Sequence, residues 1–174
     1  MILSINNKIN ITLCGMMGSG KSTVGKILAK KLKYEFKDID KIIEAKANKS
    51  INRIFEEEGE KYFRDLEEKT TIEILQNEKT VISLGGGAIV NENIKKYIKK
   101  NSYNIYLNVN IDILKKRLEN SKSRPLIKTK NLHLTLTNLI KNRENLYKKA
   151  DLIIINEKNI SATIEIILKN IINE

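Results

Sequence analysis

Gly15-Met16-Met17-Gly18-Ser19-Gly20-Lys21-Ser22 decides how this chain is read. The octet fits the G-x-x-x-x-G-K-[ST] phosphate-binding loop in full. Ahead of it Ile9, Ile11 and Leu13 alternate as a strand does. Behind it Val24, Ile27, Leu28 and Leu32 recur at the spacing of one helical face. Strand, glycine loop and helix are the context the motif needs. The glycines let successive backbone N–H groups converge on phosphate oxygens at the positive end of the helix dipole. Lys21 can then place a point charge on the β- and γ-phosphates, and the Ser22 hydroxyl can hold Mg²⁺. A glycine-rich turn that binds nothing would not require this flanking pattern. The stretch therefore predicts a nucleoside-triphosphate site.

Composition bounds the rest. A chain of 174 residues is long enough for one domain with a real core. The net charge of +11 raises nucleic acid or an acidic membrane as partners. Against that, 27 of the 32 basic residues are lysines scattered through Ile/Asn-rich sequence, the pattern of a solvated surface. Neither nucleic acid nor membrane is expected, although a basic surface steers anionic substrates inward. The single cysteine, Cys14, excludes an internal disulfide and reads as a small core residue. No run approaches the roughly 18 apolar residues of a membrane span. The N-terminus lacks the pattern of a signal peptide. A cytoplasmic protein is expected.

Along the chain, strands and helices alternate. Strands are predicted at Tyr34–Ile39, Thr80–Leu84, Tyr103–Val109 and Asp151–Ile155, besides the first. Short helices are predicted around Lys41–Ala47 and Ile51–Glu58, the second capped by Ser50. A longer helix after Gly59 carries Phe63, Leu66, Thr70 and Ile74 on one face. Further helices are predicted at Glu92–Lys100, Ile111–Glu119, His133–Lys149 and from Ser161 onward, with a polar loop over Asn120–Asn131. Five strands separated by helices predict a three-layer α/β/α domain, its parallel sheet covered on both sides and its ligands at the carboxyl ends of the strands.

The rare residues mark the ligands. Six of the eight glycines fall in the phosphate loop and in Gly85-Gly86-Gly87, both directly after predicted strands. In a glycine-poor chain such placement suits backbone that must approach something closely. Arginine is equally sparing: Arg53, Arg64, Arg117, Arg124 and Arg143. Its planar fork suits carboxylate or phosphate in a way lysine cannot imitate. Arg143 falls on the apolar stripe of Leu136, Leu139, Ile140, Leu146 and Tyr147, so it needs either a ligand or an internal ion pair. Arg64 lies four residues after Glu60, and by spacing alone that is an exposed helical pair.

Phe55-x-x-x-Gly59-Glu60-x-x-Phe63-Arg64, with Asp38-x-Asp40, Gly85-Gly86-Gly87 and Arg124-Pro125-Leu126, resembles the shikimate kinases from the first strand to about Asp151. The resemblance implies a fold similar to nucleoside monophosphate kinases, with strand order 2-3-1-4-5. It implies transfer of the ATP γ-phosphoryl group to the 3-hydroxyl of shikimate, in aromatic amino-acid biosynthesis. ATP as co-substrate, Mg²⁺ as cofactor and a monomer follow as expectations.

By motif position, Asp40 resembles the aspartate that holds the shikimate hydroxyls and accepts a proton, and Asp38 the carboxylate near Mg²⁺. Arg64 and Arg143 resemble the clamp on the shikimate carboxylate, beside the backbone of Gly85, Gly86 and Gly87, with Glu60 orienting Arg64. Gly18, Ser19, Gly20, Lys21, Ser22 and Thr23 correspond to the ATP-binding loop. Arg124 resembles the lid arginine that meets the transferring group, and Arg117 the arginine over adenine. Residues 40–66 would be a substrate-binding subdomain and 118–131 a lid, within one domain of residues 1–174. One departure is the segment Ile155-Asn156-Glu157-Lys158-Asn159-Ile160, which lacks the family's usual aspartate and proline of the adenine loop. Gluconate-type and cytidylate-type kinases, which share loop and lid, and a regulatory nucleotide-binding module are the alternatives.

Overall fold

A computed structural model of the chain describes residues 10–119, 131–157 and 159–172. Strands β1 (Asn10–Cys14), β2 (Glu35–Asp38), β3 (Thr80–Ser83), β4 (Ser102–Asn108) and β5 (Leu152–Ile155) form one parallel sheet in the order β2-β3-β1-β4-β5. This is the expected order. The α-helices among the described residues are α1 (Lys21–Leu32), α2 (Ile39–Ala47), α3 (Ile51–Glu57), α4 (Gly59–Leu75), α5 (Glu92–Asn101), α6 (Ile111–Glu119), α7 (Leu132–Tyr147) and α8 (Ile160–Ile172), and a short 3-10 helix spans Ala88–Val90.

Strand alternation divides the core in two. Ile11 and Leu13 of β1 and Ile105 and Leu107 of β4 pack with Val24 and Leu28 of α1 and Ile164 and Ile167 of α8. Cys14 and Tyr106, one residue out of phase, join Ile54, Phe63 and Tyr147 in the opposite layer. Each fully buried aliphatic side chain contributes about 1.5–3 kcal/mol relative to exposure. On that second side Thr12 meets Ser102 at 3.1 Å and Asn104 at 3.0 Å, so the buried polar groups of the central strands satisfy one another.

The structure corrects some details. Ile27 is 37% exposed, and the buried face of α1 runs instead through Val24, Gly25, Leu28 and Ala29. Gly25 draws the helix onto the sheet there: a Cβ would lie 2.5 Å from the Phe36 ring. The second strand ends at Asp38, not Ile39, because the Asp38 carboxylate accepts from the Lys41 N–H at 3.4 Å and caps α2. Asp40 therefore sits in a first helical turn. At β5, Ile154 is buried while Ile153 and Ile155 are exposed, so among the described residues this edge strand is covered on one face. No helix among the described residues is long and apolar enough to cross a membrane.

Register places the site. Leu13 of β1 pairs with Ser83 of β3, and Ser83 with Asp38 of β2. The phosphate loop, the Asp38–Asp40 turn and the glycine triplet consequently leave the sheet at one height, on its carboxyl edge.

Candidate active site

The phosphate loop is built by glycine where nothing else fits. Gly15 has φ +139° and a Cβ there would meet Leu107 O at 2.7 Å; Gly20 has φ +95°. Both positions lie in the region that side chains rarely adopt. Lys21 is buried and folds over the loop, its Nζ donating to Gly15 O at 2.9 Å and Met16 O at 3.0 Å. Ser22 Oγ donates to Asp38 Oδ2 at 2.5 Å. That pairs a hydroxyl from α1 with a carboxylate from β2, two hard oxygen donors of the kind that would suit Mg²⁺. Cys14 behind the loop is buried, and burial pushes its thiol up to about 12, so it stays neutral and serves packing, as expected.

Two cavities flank this loop. The first, of about 280 Å³, has Asp40, Arg64 and Arg143 facing the backbone of Gly85, Gly86 and Gly87, with Met17, Phe55 and Phe63 as its apolar wall. The second, of about 410 Å³, is lined by Gly18, Gly20, Lys21, Thr23 and Arg117. Ser22, Asp38 and Asp40 line both. A polar-and-apolar acceptor cavity thus meets an anion cavity at one hydroxyl and two carboxylates.

Arg64 is held more firmly than spacing suggested. Its guanidinium donates to Glu60 Oε1 at 3.1 and 3.2 Å and to Glu67 Oε2 at 2.6 Å. It lies on Gly87, where a Cβ would come within 2.6 Å of Arg64 Nη1. The sequence reading missed Glu67. It lies on the face of α4 that carries Phe63, Thr70 and Ile74, and an acid on that face is the signal that singled out Arg143. Glu67 is 2% exposed and packs under Gly85, where a Cβ would sit 2.2 Å from its Oε1. Burial pushes its carboxyl up, the Arg64 charge and hydrogen bond offset part of that, and the Asp40 charge adds to it.

Arg143 has a different fixture. Among the described residues its guanidinium finds a backbone carbonyl, Gly86 O at 3.3 Å, rather than the carboxylate an internal ion pair would supply. The buried Tyr147 hydroxyl donates to the same carbonyl at 2.5 Å, and its ring stacks on Tyr106 with centroids 5.0 Å apart. Gly86 O is therefore pinned from α7, and in a trans peptide the Gly87 N–H faces the opposite way.

Arg117 bridges the other end of the loop. It donates to Gly18 O at 3.2 Å and to Asn156 O at 3.1 Å. Arg124, Pro125 and Lys158 lie outside the described residues, as does most of the predicted loop over Asn120–Asn131. The structure brings Asp40, Arg64, Arg143 and the glycine triplet to one cavity, and Lys21, Ser22, Thr23 and Arg117 to the other.

Known proteins resemble the chain closely. A family model described as shikimate kinase matches residues 17–174. A shikimate kinase of Rippkaea orientalis is 47% identical over 151 residues, 87% of this chain and 80% of that one. A shikimate kinase of Sulfurihydrogenibium sp. is 44% identical, covering 93% of this chain and 97% of its own. Among solved structures, shikimate kinase from Acinetobacter baumannii in complex with shikimate superposes with a TM-score of 0.93 at 34% identity, over 98% of this chain and 96% of that chain.

Proposed function

This chain belongs to the shikimate kinase family, an ATP-dependent kinase that phosphorylates the 3-hydroxyl of shikimate, and we propose the following division of labour among its residues. The observation that carries it is the junction of the two cavities at Ser22, Asp38 and Asp40. ATP lies along Gly18–Thr23 with Lys21 on its β- and γ-phosphates and Arg117 toward the base. Shikimate occupies the smaller cavity. Arg64 and Arg143 fork its carboxylate, the Gly85–Gly87 backbone lies alongside, and Asp40 holds its hydroxyls.

Phosphoryl transfer needs alignment and neutralised charge more than covalent help. Asp40 orients the attacking 3-hydroxyl and takes its proton as that oxygen bonds to the γ-phosphorus and the bond from the γ-phosphorus to the bridging oxygen breaks, releasing ADP. Ser22 and Asp38 would hold Mg²⁺, which neutralises charge on the β- and γ-oxygens when bound. Glu60 and Glu67 set the plane of Arg64, so the clamp exists before the substrate arrives. Arg124, by its motif, meets the transferring group from a lid over 118–131, and 40–66 form the substrate-binding subdomain. The protein acts as a cytoplasmic monomer in this reading.

The test is ADP release from Mg²⁺-ATP with shikimate, gluconate, cytidylate or no acceptor. Release that depends on shikimate alone is expected. Equal release with gluconate or cytidylate, or release indifferent to every acceptor, overturns the assignment.

Glu67 makes shikimate binding sensitive to acid. As pH falls through its raised value, toward the ordinary glutamate value of about 4.3, the carboxylate takes a proton and Arg64 loses the buried one of its two charged partners. The KM for shikimate should rise by about fivefold over that range, the difference between a charged and a neutral hydrogen-bond partner. Glu67→Gln should show the raised KM at neutral pH and a flatter profile. For stability the sign is opposite. A raised folded-state value means the group's contribution is fully present below the ordinary value and lost as pH rises through the raised one. Glu67→Gln should therefore leave Tm at neutral pH no lower than the parent's. A large fall in Tm, or an unchanged pH profile of KM, counts against this role.

A further inference from the structure

Asn156, the first residue after β5, has every polar group engaged. It is 4% exposed. Its backbone N–H donates to Asn108 O at 2.9 Å, and its carbonyl accepts from Arg117 Nη2 at 3.1 Å. Its Nδ2 donates to Ser19 O at 2.7 Å, and its Oδ1 accepts from the Thr163 hydroxyl at 2.9 Å. The amide orientation is forced by chemistry. A backbone carbonyl can only accept, so the nitrogen faces Ser19 and the oxygen faces Thr163. Thr163, in the first turn of α8 and also 4% exposed, holds that orientation from the far side.

From this geometry we infer that Asn156, which lines the cavity of the phosphate loop, is a positioning residue for the nucleotide, acting through that loop and Arg117. The C=O of Ser19 and the N–H of Gly20 share one peptide plane and point in opposite directions. A hydrogen bond that fixes Ser19 O on Asn156 therefore turns the Gly20 N–H away from Asn156, immediately before Lys21. Gly20 leaves no slack in this contact: a Cβ on it would lie 2.7 Å from Asn156 Nδ2. The backbone carbonyl of the same asparagine helps orient Arg117, which also donates to Gly18 O at 3.2 Å and to Glu157 O at 3.5 Å. One buried residue thus sets the loop that takes the phosphates and the guanidinium on the base side. The inference rests on ATP occupying this loop.

Asn156→Asp tests it, because the isostere keeps the Thr163 contact and turns the donor facing Ser19 O into an acceptor. KM for ATP is expected to rise by about five- to tenfold, the scale of one lost buried hydrogen bond, while KM for shikimate stays within about twofold. Thr163→Val removes only the hydroxyl that orients the amide. It should give a smaller rise in KM for ATP, about two- to threefold, and no further effect in the Asn156→Asp background. A merely structural role would move both KM values together, or lower Tm with neither KM changed, and either result overturns the inference. If Asn156→Asp does not fold, Thr163→Val decides: a selective rise in KM for ATP supports the inference and no change refutes it. Failure of the ATP and shikimate assignment is separable, since it would appear in the parent protein as ADP release that ignores shikimate.

Discussion

Lys21→Ala is expected to lower turnover by about 10³-fold or more, the scale of removing a preorganised positive charge from a phosphoryl-transfer site. Lys21 sits at the start of α1 with its ammonium against Gly15 O and Met16 O, already inside the loop that receives the phosphates. In the proposed assignment the γ-phosphate arrives at this ammonium, which the two carbonyls hold in the loop. Alanine at this position keeps the helix and leaves both hydrophobic clusters intact, since Lys21 belongs to neither. The variant should therefore remain folded, with unfolding midpoint close to the parent's, while ATP binding weakens. Circular dichroism melting, ATP titration and coupled ADP release on one preparation separate these effects. Turnover within tenfold of the parent would refute the phosphate-loop assignment; loss of the fold would instead place Lys21 in the stability of the loop.

Arg64→Lys and Arg143→Lys are each expected to raise KM for shikimate by about 10- to 100-fold, since a charge-assisted hydrogen bond contributes roughly 1.5–3 kcal/mol. The two residues lie on α4 and α7 and face one cavity across the glycine triplet. An ammonium cannot reproduce the planar fork to a carboxylate. At Arg64 it would also abandon at least one of the two glutamates that now share the guanidinium. KM for ATP should change far less, because neither arginine lines the phosphate cavity. The double substitution should fall short of the summed single effects, as both groups hold one carboxylate. Separate titrations of shikimate and ATP decide it. If ATP binding collapses and shikimate binding survives, the arginines are phosphate ligands and the acceptor assignment is wrong.

Much of the site could be read residue by residue. The phosphate loop is contiguous, so its function is written in local order. The strand pattern around Val81, Ile82 and Leu84 and the helical stripe of Leu136, Leu139 and Ile140 come from periods set by backbone geometry alone. Arg143 was visible as a charge on an apolar stripe. Glu67 carried the same signal and was passed over because the stripe on α4 could be filled with Phe63, Leu66, Thr70 and Ile74 without it. In the sequence Asn156 belongs to a segment that departs from the family's adenine loop, and its role as a brace depends on Ser19 and Thr163, residues far from each other in the chain.

By itself, then, the sequence determined the order of strands and helices, the phosphate loop and the family, because these rest on local periodicity and on motifs a few residues long. Tertiary structure alone decided which neighbour each polar group meets. Glu67 rather than Glu60 alone fixes Arg64, Gly86 O rather than a carboxylate receives Arg143, and Asn156 holds Ser19 O. The physical reason is that a buried polar group must find a partner wherever the packing of distant segments brings one within about 3 Å, and sequence spacing carries no record of that distance.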